Sequence, residues 1–322
     1  SLLRQTFERF RKITPTENIL IVTNEGYRDL VKAHLPELND FQILGEPIGK
    51  NTAPCVAYAA QKIAKRNPNA SMVVAPSDHL IQDEDHFVEV VSNCLDRIAD
   101  SDELMTLGIK PSRPDTGYGY IHYDKEADTN GFFPVKSFTE KPILKVAKEF
   151  VSKGDYLWNA GIFVWSVSGV QKAISSHMSH TFELFEETKD QLDTPSEKEA
   201  ISKAYIACES QSIDYGIMEK ARNVIVCPAE FKWSDIGTWN ALYDLLPKDD
   251  NNNVVRSESV LLRNTHNSYI HTSGKKLIAL NGVQDMVIVE SDAAFLIADR
   301  KDEQAVKDLV QALKKEGKEN FC

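Results

Sequence analysis

Six short segments of this 322-residue chain carry side chains able to do chemistry together. Ser77-Asp78-His79 sets a carboxylate and an imidazole directly behind the apolar run Met72 to Ala75. Glu46 opens a stretch that runs through Asn51 and Thr52 to Pro54, and Gly117-Tyr118-Gly119 places two glycines one residue apart. Glu140-Lys141, Asn159-Ala160-Gly161 and Ser234-Asp235 complete the set. Asp78 and Asp235 are suited to a hard cation such as Mg²⁺ beside a phosphate. Lys141 suits a phosphate, and Glu140 and Asn159 suit hydroxyls. No segment pairs a nucleophile with an aligned base. The inventory fits phosphoryl or nucleotidyl transfer, where positioning and charge neutralisation do most of the work. A sugar phosphate is already an anionic nucleophile at neutral pH, so no general base is required.

Each residue also has a plain structural reading. Asp78 caps a turn and His79 orients or packs rather than acting as a base. Asn51 and Thr52 serve equally well as helix caps, Glu140 and Lys141 as an exposed ion pair, and Gly119 as a tight turn. Asp214 and Glu219 read as a helix cap and an ion pair, and Trp158, Trp165, Trp233 and Trp239 as core.

The elements that must position these residues follow an α/β pattern. Ser1 to Lys12 reads as a helix, Ile19 to Thr23 as a strand, Glu25 to Leu35 as a helix and Phe41 to Leu44 as a strand. Ala53 to Arg66 is a helix with Pro54 in its first turn, and Met72 to Ala75 is an unbroken apolar run, as in a parallel sheet covered on both faces. Strands and helices alternate at the spacing of right-handed βαβ units. Nearly all the candidate residues follow such strands, and open α/β sheets bind ligands beyond the carboxyl ends of their strands. Pro247 to Asn253 is a polar breaker run, which divides the chain into residues 1–248 and 249–322. Beyond it, Val260-Leu261-Leu262, Tyr269-Ile270, Leu277-Ile278-Ala279, Val287-Ile288-Val289 and Phe295-Leu296-Ile297 recur at roughly ten-residue spacing, a pattern of successive short strands in a β-solenoid-like domain. A terminal helix capped near Asp302 closes the chain.

Bulk properties exclude some function classes. The formal net charge is -11, which argues against binding a nucleic-acid polymer or an anionic membrane. No apolar run approaches the roughly 20 residues of a membrane helix, and no signal peptide is visible. Cys55, Cys94, Cys208, Cys227 and Cys322 are scattered, which indicates neither a zinc site nor a disulfide framework and fits a reducing, cytoplasmic setting.

Seven segments in order resemble the mannose-1-phosphate guanylyltransferases (GDP-mannose pyrophosphorylases): Glu46 to Pro54, Pro76 to His79, Thr116 to Ile121, Phe138 to Pro142, Trp158 to Phe163, Ser212 to Glu219 and Trp233 to Trp239. The resemblance covers essentially the whole chain. It implies a Rossmann-like nucleotidyltransferase domain with a small C-terminal β-helical domain. The implied reaction is GTP plus α-D-mannose 1-phosphate giving GDP-mannose and pyrophosphate, with Mg²⁺. Asp78 and Asp235 are then the metal carboxylates, Lys141 meets the sugar phosphate, Glu140 takes mannose hydroxyls, and Gly119 and Asn159 line the sugar pocket. Glu46, Asn51 and Thr52 face guanine, whose N1 and N2 donors a carboxylate can accept and adenine cannot offer. A homodimer formed through the β domain is also implied.

The chain departs from the family in one respect. The signature G-G-x-G-x-R-L-W-P-L-S-R, with its following Pro-Lys pair, is not found in the 322 residues. Its backbone donors cradle phosphates. Either that strand and loop lie outside this sequence, as a helix in first place also hints, or the protein lacks them and leaves a central sheet position empty. Losing several charge-assisted phosphate bonds at roughly 1.5–3 kcal/mol each would abolish useful catalysis. The alternatives to an active guanylyltransferase are therefore a catalytically inactive nucleotide-sugar-binding or regulatory homologue, and a nucleotidyltransferase for another hexose 1-phosphate. A bifunctional branch of the family carries a cupin-type phosphomannose isomerase domain after the β domain; no isomerase activity is expected of these residues.

Overall fold

The apolar periodicities become helices and strands where the capping chemistry allows. The structure is a computed structural model that describes residues 1–272 and 276–321. Its chain divides into two units, Ser1–Trp233 and Ser234–Cys322, so the division falls upstream of the breaker run at Pro247 to Asn253.

In the first unit Ser1 caps α1 (Leu2–Arg11) by accepting from the Arg4 amide at 3.3 Å. β1 (Ile21–Asn24), α2 (Arg28–His34), β2 (Ile43–Glu46), α3 (Thr52–Arg66) and β3 (Ser71–Val74) follow in alternation. β2 starts two residues later than the apolar pattern indicates, because Asp40–Gln42 winds into a 3-10 turn whose Gln42 side chain bonds the Thr16 and Ile19 carbonyls. The short β4 (Leu80–Ile81) leads to α4 (Glu84–Ile98), capped by Asp83. Then come β5 (Leu104–Ile109), β6 (Tyr120–Tyr123), β7 (Phe133–Thr139), α5 (Leu144–Lys153) and β8 (Tyr156–Ser166). Helices α6 (Val167–His177), α7 (Ser179–Glu186) and α8 (Glu197–Ala207) precede β9 (Val224–Ala229) and β10 (Trp233–Ser234), the last of which straddles the division in the chain. The expected helix start at Ser212 is instead a single π-helical turn, Asp214–Met218.

β1 and β2 form a parallel pair of their own. A six-stranded sheet runs β3-β8-β5-β9-β7-β6, with β6 also touching β8. β5 and β9 are parallel, and β8 runs antiparallel to both β3 and β5. The run at Met72 to Ala75 is thus less enclosed than its composition implies. Among the described residues β3 pairs with β8 only, and Val73 and Val74 are half-buried. α1 covers both sheets: Phe7 packs with Ile19 and Ile43, while Phe10 also joins the cluster of Phe87 and Val73.

The second unit starts with α9 (Trp239–Leu245), capped by Thr238. β11 (Val254–Arg256), β12 (Val260–Arg263), β13 (Tyr269–His271), β14 (Ile278–Asn281), β15 (Met286–Glu290) and β16 (Phe295–Asp299) follow. β11, β13 and β15 stack in parallel, as do β12 and β14, which makes the two faces of a short β-helix. Strand β16 reverses against β15, and α10 (Glu303–Lys315) lies beyond it with Asp302 as its cap. Tyr243, Val254, Tyr269 and Val287 form the core of this unit.

Candidate active site

The site in the first unit is built where β6, β7 and β8 meet. Asn159 lies within β8, and its amide nitrogen donates to the Gly119 carbonyl at 2.8 Å, just ahead of β6. Glu140 and Lys141 follow the end of β7, with the Lys141 amide bonded to the Tyr118 carbonyl at 3.2 Å. Lys141 takes a left-handed backbone, φ 47°, and its Nζ reaches Glu140 Oε1 at 2.7 Å. That bond, foremost among its surroundings, raises the lysine pKa. A Cβ at Gly119 would stand 2.4 Å from Glu140 Oε2 and 3.2 Å from the Phe138 ring. The glycine therefore provides the space into which the nearly buried Glu140 side chain folds.

β8 is irregular at this point. Its register against β5 shifts between Thr106 and Gly108, opposite residues 159–163, and Gly161 takes φ 66°. Such an irregularity re-aims a side chain. Asn159 Oδ1 accepts from Thr106 Oγ1 at 3.0 Å and from the Gly161 amide at 3.1 Å, while Nδ2 donates to Asp214 Oδ1 at 3.0 Å. Asp214 is thus not the helix cap that the sequence indicated. It heads the π-helical turn with its carboxylate turned onto the pocket. Burial, and next the nearby Glu140, push its pKa up to about 6. Glu219, from the same turn, accepts from the Glu140 amide at 3.4 Å. The sequence missed Asp214 and Glu219 as pocket residues, although both stand in the Ser212 to Glu219 motif; local spacing alone reads them as caps.

Asp78 follows β3 on an exposed bend. Its segment borders that of Asn159, since a Cβ at Gly161 would lie 3.6 Å from Pro76 Cγ and 3.8 Å from His79 Cε1. His79 accepts at Nδ1 from the Trp233 indole N–H at 3.0 Å, which assigns its proton to Nε2. Trp233, Tyr118 and Trp158 continue edge-to-face from His79 toward Gly119. Trp158 and Trp165 are buried core, as the sequence indicated, whereas Trp233 and Trp239 are half-buried.

A second group surrounds Glu46 at the end of β2. The Tyr205 hydroxyl of α8 donates to Glu46 Oε1 at 3.0 Å. Burial raises the Glu46 pKa, against the lowering effect of that bond. Asn51 caps α3 from φ 68°, accepting from the Thr52 amide at 2.9 Å. Thr52 Oγ1 accepts from the Ile213 amide at 2.8 Å, and the Ala53 amide donates to the Gln211 carbonyl at 3.0 Å. The Glu46 loop is therefore tied directly to the segment that carries Asp214. Asp235 belongs to the second unit, where its Oδ1 accepts from the Gly237 amide at 3.1 Å ahead of α9.

Asp78 and Asp235 each offer hard oxygen donors of the kind that magnesium takes when phosphate oxygens complete its shell. Among the described residues no group of three or more His, Cys, Asp or Glu side chains forms a closed metal cage. The first unit thus gathers one lysine, three carboxylates and an oriented amide, chemistry suited to a polyhydroxylated anion.

The sequence matches the Nucleotidyl transferase family over residues 1–252 and the MannoseP isomerase/GMP-like beta-helix domain over residues 258–313. It is 33% identical to a mannose-1-phosphate guanylyltransferase of Escherichia coli over 326 residues, 99% of this chain and 69% of that protein. It is also 33% identical to the alginate biosynthesis protein AlgA of Pseudomonas aeruginosa, over 100% of this chain and 68% of that one. Among solved structures it is similar to one described as a mannose-1-phosphate geranyltransferase from Thermus thermophilus, with a TM-score of 0.84, 27% identity, and coverage of 97% of this chain and 89% of that one.

Proposed function

The chain belongs to the nucleotidyl transferase family and, within it, to the mannose-1-phosphate guanylyltransferases, and from that membership we propose that it converts GTP and α-D-mannose 1-phosphate to GDP-mannose and pyrophosphate. The observation that carries this reading is the convergence of Gly119, Glu140, Lys141 and Asn159 on one pocket. Lys141 neutralises the sugar phosphate, whose oxygen attacks the α-phosphorus in line. The bond to the bridging oxygen breaks and pyrophosphate leaves with the electron pair. Glu140 accepts from sugar hydroxyls through the oxygen that lies over Gly119. Asp78 and Asp235 would hold Mg²⁺, which when bound supplies charge neutralisation at the phosphates.

Glu46 reads guanine in this mechanism. Tyr205 fixes one carboxylate oxygen, and burial at the end of β2 strengthens any further bond it accepts. Asn51 and Thr52 accept from the backbone through their side-chain oxygens, which shapes the loop beneath the base and leaves the Asn51 Nδ2 and Thr52 hydroxyl hydrogens to donate to guanine. Glu46→Gln is expected to lower the preference for GTP over ATP by about tenfold, the worth of one charge-assisted bond; an unchanged preference would place guanine recognition elsewhere.

Among the described residues β1 pairs only with β2 and β3 only with β8, which supports the place at which the loop-bearing strand typical of the family would complete the sheet. Leu261, Leu277, Phe295 and Ile297, exposed on the second unit, support homodimerisation through the β-helix. No helix among the described residues is long and apolar enough to cross a membrane, and a GTP-consuming reaction fits the cytoplasm.

The test is pyrophosphate release from GTP by the full-length protein with Mg²⁺, with and without mannose 1-phosphate. Release that depends on the sugar phosphate, and falls at least about a hundredfold in Lys141→Ala, is the expected result. Release that is indifferent to the sugar would overturn the reading.

A further inference from the structure

We propose that Asp214 is a positioning residue of the sugar pocket, which locks the Asn159 amide so that it offers the sugar a single N–H and no acceptor. The proposal rests on the reading of this pocket as the sugar-phosphate site. A side-chain amide has two acceptor lone pairs and two donor hydrogens. Thr106 Oγ1 and the Gly161 amide occupy the two lone pairs of Asn159 Oδ1. Asp214 Oδ1 takes one of the two hydrogens of Nδ2. Turning the amide over would set Nδ2 against the Gly161 N–H and Oδ1 against a carboxylate, two repulsive contacts in place of two bonds. One N–H remains, so the atom that meets Asn159 must be an acceptor such as a hydroxyl or phosphate oxygen.

Asp214 is held in this role from several sides. Glu140 and Lys141 face it from the end of β7, Asn159 from β8, and Tyr215 and Glu219 belong to its own turn. Thr52 anchors the preceding residue, Ile213, to the start of α3. The carboxylate is therefore fixed by its backbone rather than by a flexible stem. Its neighbour Glu140 repels it and Lys141 attracts it, so the charge of the pocket changes when Asp214 takes up a proton.

Steady-state kinetics on the full-length protein test this. Asp214→Ala is expected to raise KM for mannose 1-phosphate at least about tenfold while KM for GTP stays within about twofold. Asp214→Asn keeps an acceptor oxygen opposite Asn159 Nδ2, and is expected to restore the sugar-phosphate KM to within about threefold of wild type. It should also alter the acid limb of the kcat/KM profile for the sugar phosphate between about pH 5 and 7, because the variant has nothing to protonate there. An unchanged sugar-phosphate KM in Asp214→Ala, or an equal rise in both KM values with no rescue by Asp214→Asn, would overturn the proposal. Wild-type protein without sugar-dependent turnover would instead overturn the functional reading, and this assignment with it.

Discussion

At the scale of single residues the pocket is made by trading stability for chemistry. Asp214 has a pKa of about 6 against an ordinary 3.8. Its folded-state value is raised, so its favourable contribution is complete below about pH 4 and is lost as pH rises through 6. At pH 8 the buried charge costs the fold about 2 kcal/mol, after allowance for solvent screening. Asp214→Asn should therefore raise the melting temperature at pH 8, with a gain that shrinks toward zero near pH 4. Melting curves at the two pH values check this, and a gain independent of pH would contradict it. Gly119 makes the complementary case. Gly119→Ala would drive a methyl group to within 2.4 Å of Glu140 Oε2. Glu140 must swing out and take Lys141 with it, so KM for the sugar phosphate should rise by about tenfold or more with little change in the melting temperature. A large fall in stability with an unchanged KM would mean that Glu140 does not serve the ligand.

At the scale of elements, α3 and α8 are joined by a buried charge network. Lys62 on α3 is 1% exposed and reaches Asp193 at 2.6 Å and Glu197 at 2.9 Å, while Tyr58 donates to Glu197 at 2.6 Å. Burial pushes both carboxyls up, but Lys62, together with Arg66 and Lys65 at Asp193 and with Tyr58 and the Asp193 amide at Glu197, outweighs this, and both end below their usual range. Lys62→Ala removes the cation that the two carboxylates share and should cost about 3 kcal/mol in a denaturant titration at pH 7. Because the carboxyl pKa values are lowered in the fold, that loss should diminish as pH falls below about 4. This junction also carries Tyr205 to Glu46, and it was not legible in the sequence. Residues 197–207 show no strong apolar stripe, and a tyrosine 159 residues away from its partner leaves no local trace. By contrast, the βαβ alternation up to β3 and the apolar triplets of the β-helix were legible, because each depends on a period within one element. The direction of β8 was not. An apolar run shows that a strand is buried without showing which way its neighbours point. Glu140, Lys141, Gly119 and Asn159 could be gathered from their motifs, yet the amide lock at Asn159 depends on a register shift that only tertiary pairing creates.

At the scale of the whole molecule, the chain combines a catalytic unit with a parallel β-helical unit that exposes several large apolar side chains. Phe295 and Ile297 alternate with inward residues on the edge strand β16 and are 51% and 61% exposed. If they bury one another in a homodimer, Ile297→Asp should halve the mass seen by light scattering and leave pyrophosphate release per chain unchanged. A mass unaltered by that change would move the interface elsewhere. The two separate sheets of the first unit have a further consequence for time rather than energy. β1 and β3 are covered by α1 but, among the described residues, each has a ladder on one side only. Amides that point to the open side have no ladder partner there, so their exchange with deuterium reports how readily they meet water. A strand seated there would slow those same amides by orders of magnitude. The deuterium clock of residues 21–24 and 71–74 is thus a direct gauge of whether the open side of these strands is filled.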